Sequence, residues 1–288
     1  MDYFCFEQIN SLKEPLAITF DDENFAYQIG RNLLKYRKIA DINQQVMAEA
    51  FGVSIAQYRK YEKGEDCPKM HSVARWSIIT GSPNTLLLSD TDYAQYVSIP
   101  EKVWELVPFL CALSHSSDLV FNSLFSLSRE IVDVASEQEV FFGDVPDLSN
   151  ILIDIESNYY VKVAKNMKLI RDCLELSQDS LSELLGISLS AYQQYEKQIN
   201  SPRISFSFFA RSHSILQLNS RWATTGKTEF SKFNLRRNHR ISLMLPIINS
   251  SSRHQKVSIQ EIFKSVSQSL INEQLDSEIS KYESLKSN

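Results

Sequence analysis

The chain says the same thing twice. Sliding the sequence by 134 residues lays 29–69 over 163–203 without a gap. Eleven pairs are then identical: Asn32/Asn166, Arg37/Arg171, Gln44/Gln178, Glu49/Glu183, Gly52/Gly186, Ser54/Ser188, Tyr58/Tyr192, Tyr61/Tyr195, Glu62/Glu196, Lys63/Lys197 and Pro68/Pro202. Apolar character is also kept at Ile29/Val163, Ile42/Leu176, Met47/Leu181, Phe51/Leu185 and Val53/Ile187, the positions a small helical core would bury. A duplicated unit of this size must build the same local structure in two places.

Within each copy the pattern predicts helix, tight turn, helix. Asn43 and Ser177 are good N-caps, Gly52 and Gly186 suit a left-handed helix end, and Ser54 and Ser188 cap the next helix. Turned by 100° per residue, the helix from Ile55 puts Tyr58 and Tyr61 on one side and Ala56, Arg59 and Lys60 on the other. The tyrosines are expected to face the core. The outward set is then Ile55, Ala56, Arg59 and Lys60 in the first copy, and Leu189, Ser190, Gln193 and Gln194 in the second. Arg or Lys suits guanine O6 and N7, Gln suits adenine N6 and N7, and an apolar residue suits a thymine methyl. The same residues also suit an ordinary solvated helix face. Ser54-Ile55-Ala56-Gln57 fits a capping box, so Gln57 is expected to turn back toward the helix start and is not counted as a base reader.

Charge is segregated rather than uniform. The net charge of −5 divides into −5 over residues 1–28, +4 over 29–83, −11 over 84–160 and +7 over 161–288. The two positive regions contain the repeat, an arrangement that attracts phosphate locally while the whole chain stays acidic. The second copy is nonetheless neutral over 163–203, with five basic and five acidic residues. Basic residues resume in GKTEFSKFNLRRNHR (226–240), where Lys227, Lys232, Arg236, Arg237 and Arg240 suit either an arm along a phosphate backbone or an ordinary basic surface.

These residues resemble the lambda-repressor-like, Xre/Cro-type helix-turn-helix family of transcriptional regulators, here as two tandem domains. The matching elements are Arg37, INQ (42–44), GVS (52–54), YEKG (61–64) and Pro68, then Arg171, LSQ (176–178), GIS (186–188), YEK (195–197) and Pro202. SRWATTG (220–226) is similar to the family's closing segment. The resemblance implies that Gln44 and Gln178 hold a phosphate and brace the recognition helix, with Asn43 beside the same helix start. It implies structural ion pairs Arg37–Glu62 and Arg171–Glu196. Lys63, Lys69, Lys197 and Arg203 follow the recognition helices and are expected to add phosphate contacts. The second copy departs from the pattern where Gln198 replaces Gly64, so another residue, Asn200 for instance, would have to take positive φ.

With 43% hydrophobic and 23% charged residues, seven glycines and no sustained period-two runs, the chain reads as all-α. The expected layout is an N-terminal extension (1–21), a first helix-turn-helix domain (22–90), an acidic helical spacer (91–156), a second such domain (157–228), then a basic segment and amphipathic C-terminal helix (229–288). ISLMLPII (241–248), broken by Pro246, reads as a connector or short strand. The terminal helix, with Ile259, Ile262, Phe263, Val266, Leu270 and Leu285 among polar residues, either docks on the body or pairs with a second chain as a homodimer.

The four cysteines are scattered, with no histidine at ligand spacing, so neither a metal nor a cofactor is expected. No apolar run is long enough for a membrane span and the start lacks a basic-then-apolar leader, so the chain is expected in the cytoplasm, at the nucleoid of a bacterium or phage-infected host. No P-loop, dinucleotide turn, HExxH or GxSxG is present, so no enzyme is expected. The expected partner is double-stranded DNA. The alternative is an adaptor or antitoxin-like interaction module in which one or both copies no longer bind DNA.

Overall fold

The computed structural model describes residues 21–96, 102–133, 148–197, 204–216 and 228–286. The first copy is α1 (Asp22–Ala40), α2 (Gln44–Phe51), α3 (Ile55–Lys63) and α4 (Met70–Thr80). Short 3-10 turns lead to α5 (Val107–His115), α6 (Asp118–Val132) and α7 (Ser149–Ser157). The second copy is α8 (Tyr159–Cys173), α9 (Gln178–Leu184), α10 (Leu189–Glu196) and α11 (Phe206–Leu216), and α12 (Thr228–Ser250) and α13 (Arg253–Lys286) close the chain. The fold is all-α. Among the described residues the one β feature is an isolated bridge between Lys69 and Ser205.

The capping residues act where they were expected. Asn43 Oδ1 accepts the Val46 amide at 2.9 Å and Ser54 Oγ the Gln57 amide at 3.2 Å; Ser177 and Ser188 do the same for Ser180 and Ala191, at 3.0 and 3.2 Å. Gly52 and Gly186 close α2 and α9 at φ 64° and 62°. Asp41 and Glu175, at the same place in each copy, take φ 55° and 54° without glycine. Gln57 completes only half of the capping box, because its side-chain amide reaches forward to Asp66 Oδ2 at 2.7 Å.

The first copy has a dense aromatic core in which Trp76 stacks on Phe51 at 5.8 Å and meets the edge of Tyr36 at 5.1 Å. A Cβ on Gly30 would fall 2.5 Å from the Tyr61 carbonyl, and one on Gly64 would fall 2.6 Å from Tyr27 Cα. Those contacts let α1 and the end of α3 approach closely. The second copy carries Ala164 and Gln198 at the matching positions. α3 is capped by Gly64 at φ 74°, and α10 ends one residue earlier in the repeat, capped by Lys197 at φ −68°. Gln198, Asn200, Pro202, Arg203 and the SRWATTG segment lie outside the described residues.

The remaining helices share one hydrophobic core with the first copy. VPFLCALSH of α5 is buried at every position, and Phe109 meets Phe263 of α13 at 4.8 Å. Ile259, Phe263, Ile271 and Leu275 are likewise buried, so the apolar face of the terminal helix is covered by its own chain.

Two readings of α12 are corrected. ISLMLPII is neither connector nor strand but helix, with Pro246 inside it. Phe233, Arg236, Arg237, Arg240, Met244, Ile247 and Ile248 are buried at helical spacing, and that continuous seam holds the helix through a residue that would otherwise break it. The arginines are therefore neither a phosphate-tracking arm nor a basic surface. Arg236 and Arg240 share Asp118 Oδ1, each at 2.8 Å, and both donate to the Ser116 carbonyl at the end of α5. Arg237 donates to the Gly81 carbonyl beyond α4 at 3.1 Å. Three cations thus sit at the negative ends of two helices. Lys232 is exposed, and Lys227 lies outside the described residues.

The two copies meet at the segments preceding α4 and α11. Met70 N donates to Ile204 O at 2.9 Å and Phe206 N to Pro68 O at 2.8 Å, on either side of the Lys69–Ser205 bridge. Arg75 donates to the Glu49 carbonyl at the end of α2 and pairs with Glu156 at 3.3 Å. Arg211 donates to the Leu185 and Gly186 carbonyls at the end of α9 and pairs with Asp22 at 2.6 Å. Phe25 packs against Phe206 and Tyr159 against His71, with ring centroids 6.2 and 6.5 Å apart.

Candidate nucleic-acid interface

In the first copy, α3 is held by its inner face. Tyr58 is fully buried and Tyr61 nearly so. Glu62 gathers three donors: Arg37, the Gln44 side-chain amide at 2.7 Å and the Tyr58 hydroxyl at 3.0 Å. Burial alone would raise the Glu62 pKa, but these hydrogen bonds outweigh it and hold the carboxyl below its ordinary value. The same contacts raise the Arg37 pKa, so the pair stays charged. The Glu62 carboxylate on α3 is thereby turned inward, neutralised by Arg37 of α1 and bonded by Gln44 of α2.

The opposite face is open. Ala56, Arg59 and Lys60 are exposed, while Ile55 is half-buried and packs partly on the core, which shortens its reach. Arg59 Nε donates to Gln44 Oε1 at 3.1 Å. Gln44 therefore links Glu62 on the scaffold to Arg59 on the outer face. Asn43 is exposed at the start of α2, Lys63 is exposed 3.5 Å from Glu65, and Lys69 lies at the junction between copies, 3.9 Å from Asp66.

The helix-turn-helix family model matches residues 33–83, from within α1 to just beyond α4. The chain carries a lambda-repressor-like helix-turn-helix domain. Over 100 residues, 35% of this chain and 84% of the relative, it is 28% identical to the cryptic phage CTXphi transcriptional repressor RstR of Vibrio cholerae. No solved structure matches the chain.

The residues of this helix-turn-helix domain that hold α3 recur one for one in the second copy. Glu196 accepts from Arg171 at 2.7 Å, from the Gln178 amide at 2.6 Å and from the Tyr192 hydroxyl at 2.7 Å. Its pKa is again held down, against burial, by those hydrogen bonds. Tyr192 is fully buried and Tyr195 half-buried, meeting Phe208 edge-on at 4.9 Å. Ser190, Gln193 and Gln194 are exposed and Leu189 half-buried, the same pattern as in the helix-turn-helix domain.

A groove of about 360 Å³ separates α8 from α9 and α10, lined by Lys168, Arg171, Gln178, Gln193, Glu196 and Lys197. Lys168 was not among the residues singled out from the sequence. It is exposed, with Lys165 one turn before it, whereas the matching residue in the first copy is Leu34. The signal available was the change of residue type within the repeat, which a search for shared residues passes over.

Among the described residues no cluster of side chains is arranged to hold a metal ion, and no helix is long and apolar enough to cross a membrane.

Proposed function

We propose that the protein is a sequence-specific double-stranded-DNA-binding transcriptional regulator, bacterial or phage, that reads the major groove with two non-identical recognition helices, α3 and α10. One observation carries this reading: each helix is locked from behind by the same arginine, glutamine and tyrosine around a buried glutamate, leaving the exposed face as the one that varies. Ala56, Arg59 and Lys60 with Ile55 would read one half-site, favouring guanine, and Ser190, Gln193 and Gln194 with Leu189 would read the other, favouring adenine. Asn43, Gln44, Lys63, Lys69, Gln178, Lys197 and Arg203 would contact phosphate. Its place of action would be the nucleoid, in the cytoplasm, and its role non-enzymatic. Likeness to a repressor supports the regulatory part.

The neutral charge of residues 163–203 favours a second reading, an adaptor or antitoxin-like interaction module in which one or both copies no longer bind DNA. A salt titration of affinity for selected duplexes separates the two. Neutralising six or more phosphates predicts a fall of roughly three orders of magnitude between 50 and 200 mM salt. A flat dependence, or no selected sequence at all, contradicts DNA reading.

A further inference from the structure

The contacts between the copies are reciprocal. At the 134-residue offset of the repeat, Glu156 is the counterpart of Asp22 and Tyr159 of Phe25. From α4 and α11 onward the register is two residues longer: the helices start at Met70 and Phe206, and Ala74-Arg75 matches Ala210-Arg211. Phe206 therefore answers Met70, Arg211 answers Arg75, and Ser205, one residue before its helix as Lys69 is, answers Lys69 in place of Arg203. Arg75 of the first copy then pairs with Glu156 at the end of α7, which leads into the second copy, and Arg211 of the second copy pairs with Asp22 at the start of the first. Phe25 meets Phe206, and its counterpart Tyr159 meets His71, beside Met70. The bridge joins equivalent residues in antiparallel sense.

When residue i of one unit touches j of the other and j touches i in return, the units are related by a two-fold rotation; a head-to-tail array makes unlike surfaces meet. From this we infer that the chain is a dimer within itself, with a pseudo-two-fold axis through Lys69 and Ser205, and that one chain occupies one duplex carrying two unlike half-sites in inverted orientation. Tandem copies along a chain would otherwise suggest a direct repeat. A two-fold rotation instead reverses the sense of α3 relative to α10, as the two strands reverse the sense of an inverted repeat. The half-sites are unlike because the exposed pairs Arg59-Lys60 and Gln193-Gln194 differ. This rests on both copies reading DNA as proposed above.

The test has two arms. In the first, the two half-sites obtained by selection are placed in inverted or direct orientation at the same spacing, and affinity is measured along with the mass of the complex. Inverted sites should bind about a hundred-fold more tightly than direct ones, with one chain per duplex; equal or tighter binding to the direct arrangement, or two chains per duplex, overturns the inference. The second arm needs no DNA. Lys69→Cys with Ser205→Cys, in a Cys67→Ser background, should cross-link within single chains on mild oxidation. Absence of that cross-link, or cross-linking only between chains, overturns the two-fold. An intrachain cross-link in a protein that selects no DNA sequence removes the proposed function and the half-site arrangement with it, and leaves the two-fold standing.

Discussion

Arg211 and Asp22 lie 189 residues apart and pair at 2.6 Å, while the same guanidinium donates to the carbonyls that end α9. The arginine is buried and the aspartate largely exposed. Most of the stabilisation should therefore come from the satisfied carbonyls rather than from the ion pair. Arg211→Ala is expected to cost about 2–3 kcal/mol, by stranding buried acceptors, and Asp22→Ala under about 1 kcal/mol, as an exposed pair. Denaturant unfolding of both variants measures this, and equal losses would show that the ion pair dominates.

Glu62 should be the costliest polar residue to remove from the first copy. Its side chain is 7% exposed and three donors converge on it. Glu62→Ala is expected to cost about 3 kcal/mol by leaving Arg37 without its carboxylate, and Glu62→Gln less. Because the folded pKa lies below the unfolded one, the stabilisation is complete above the ordinary carboxylate range and is lost as pH falls through the folded pKa. Unfolding at neutral and acid pH should show the gap between wild type and Glu62→Gln narrowing toward acid.

His115 predicts a second acid-sensitive window. Burial, opposed by its 2.7 Å hydrogen bond to the Ile78 carbonyl and reinforced by nearby Arg237, lowers its pKa from 6.5 to about 4. A depressed histidine must lose its proton on folding, so stability falls as pH drops from about 6.5 toward 4. About 3 kcal/mol is at stake over the whole window. His115→Gln should flatten the melting temperature across that interval, and an unchanged slope would assign the acid sensitivity to other groups.

Asp118 is the shared acceptor of Arg236 and Arg240. Asp118→Ala should destabilise more than Arg240→Met, because it leaves two buried guanidinium groups without their carboxylate instead of removing one cation, a difference of about 2 kcal/mol or more. Thermal melts of the two variants decide it.

What could be foreseen follows from range. The buried tyrosines fall on one helix face, so local periodicity is enough to place them, while the Arg–Glu pairs, 25 residues apart in each copy, follow from the family resemblance. The junction could not be foreseen: Arg75–Glu156 and Arg211–Asp22 span 81 and 189 residues, and nothing local marks those carboxylates as partners. The arginines of α12 misled for a different reason. Counted as polar, they hid a seam running from Phe233 to Ile248, and Pro246 then read as a boundary. Only packing against the ends of α4 and α5 shows why cations occupy core positions.

The central claim is that two similarly braced helices read different bases, and it is tested most directly by selecting binding sites for wild type, Arg59→Ala/Lys60→Ala and Gln193→Ala/Gln194→Ala. Each double variant should relax base preference in one half of the selected site, and a different half in each case, at about 1–3 kcal/mol for each base-reading side chain removed. If either variant keeps the full wild-type sequence preference, or both relax the same half, the two helices do not divide the site between them.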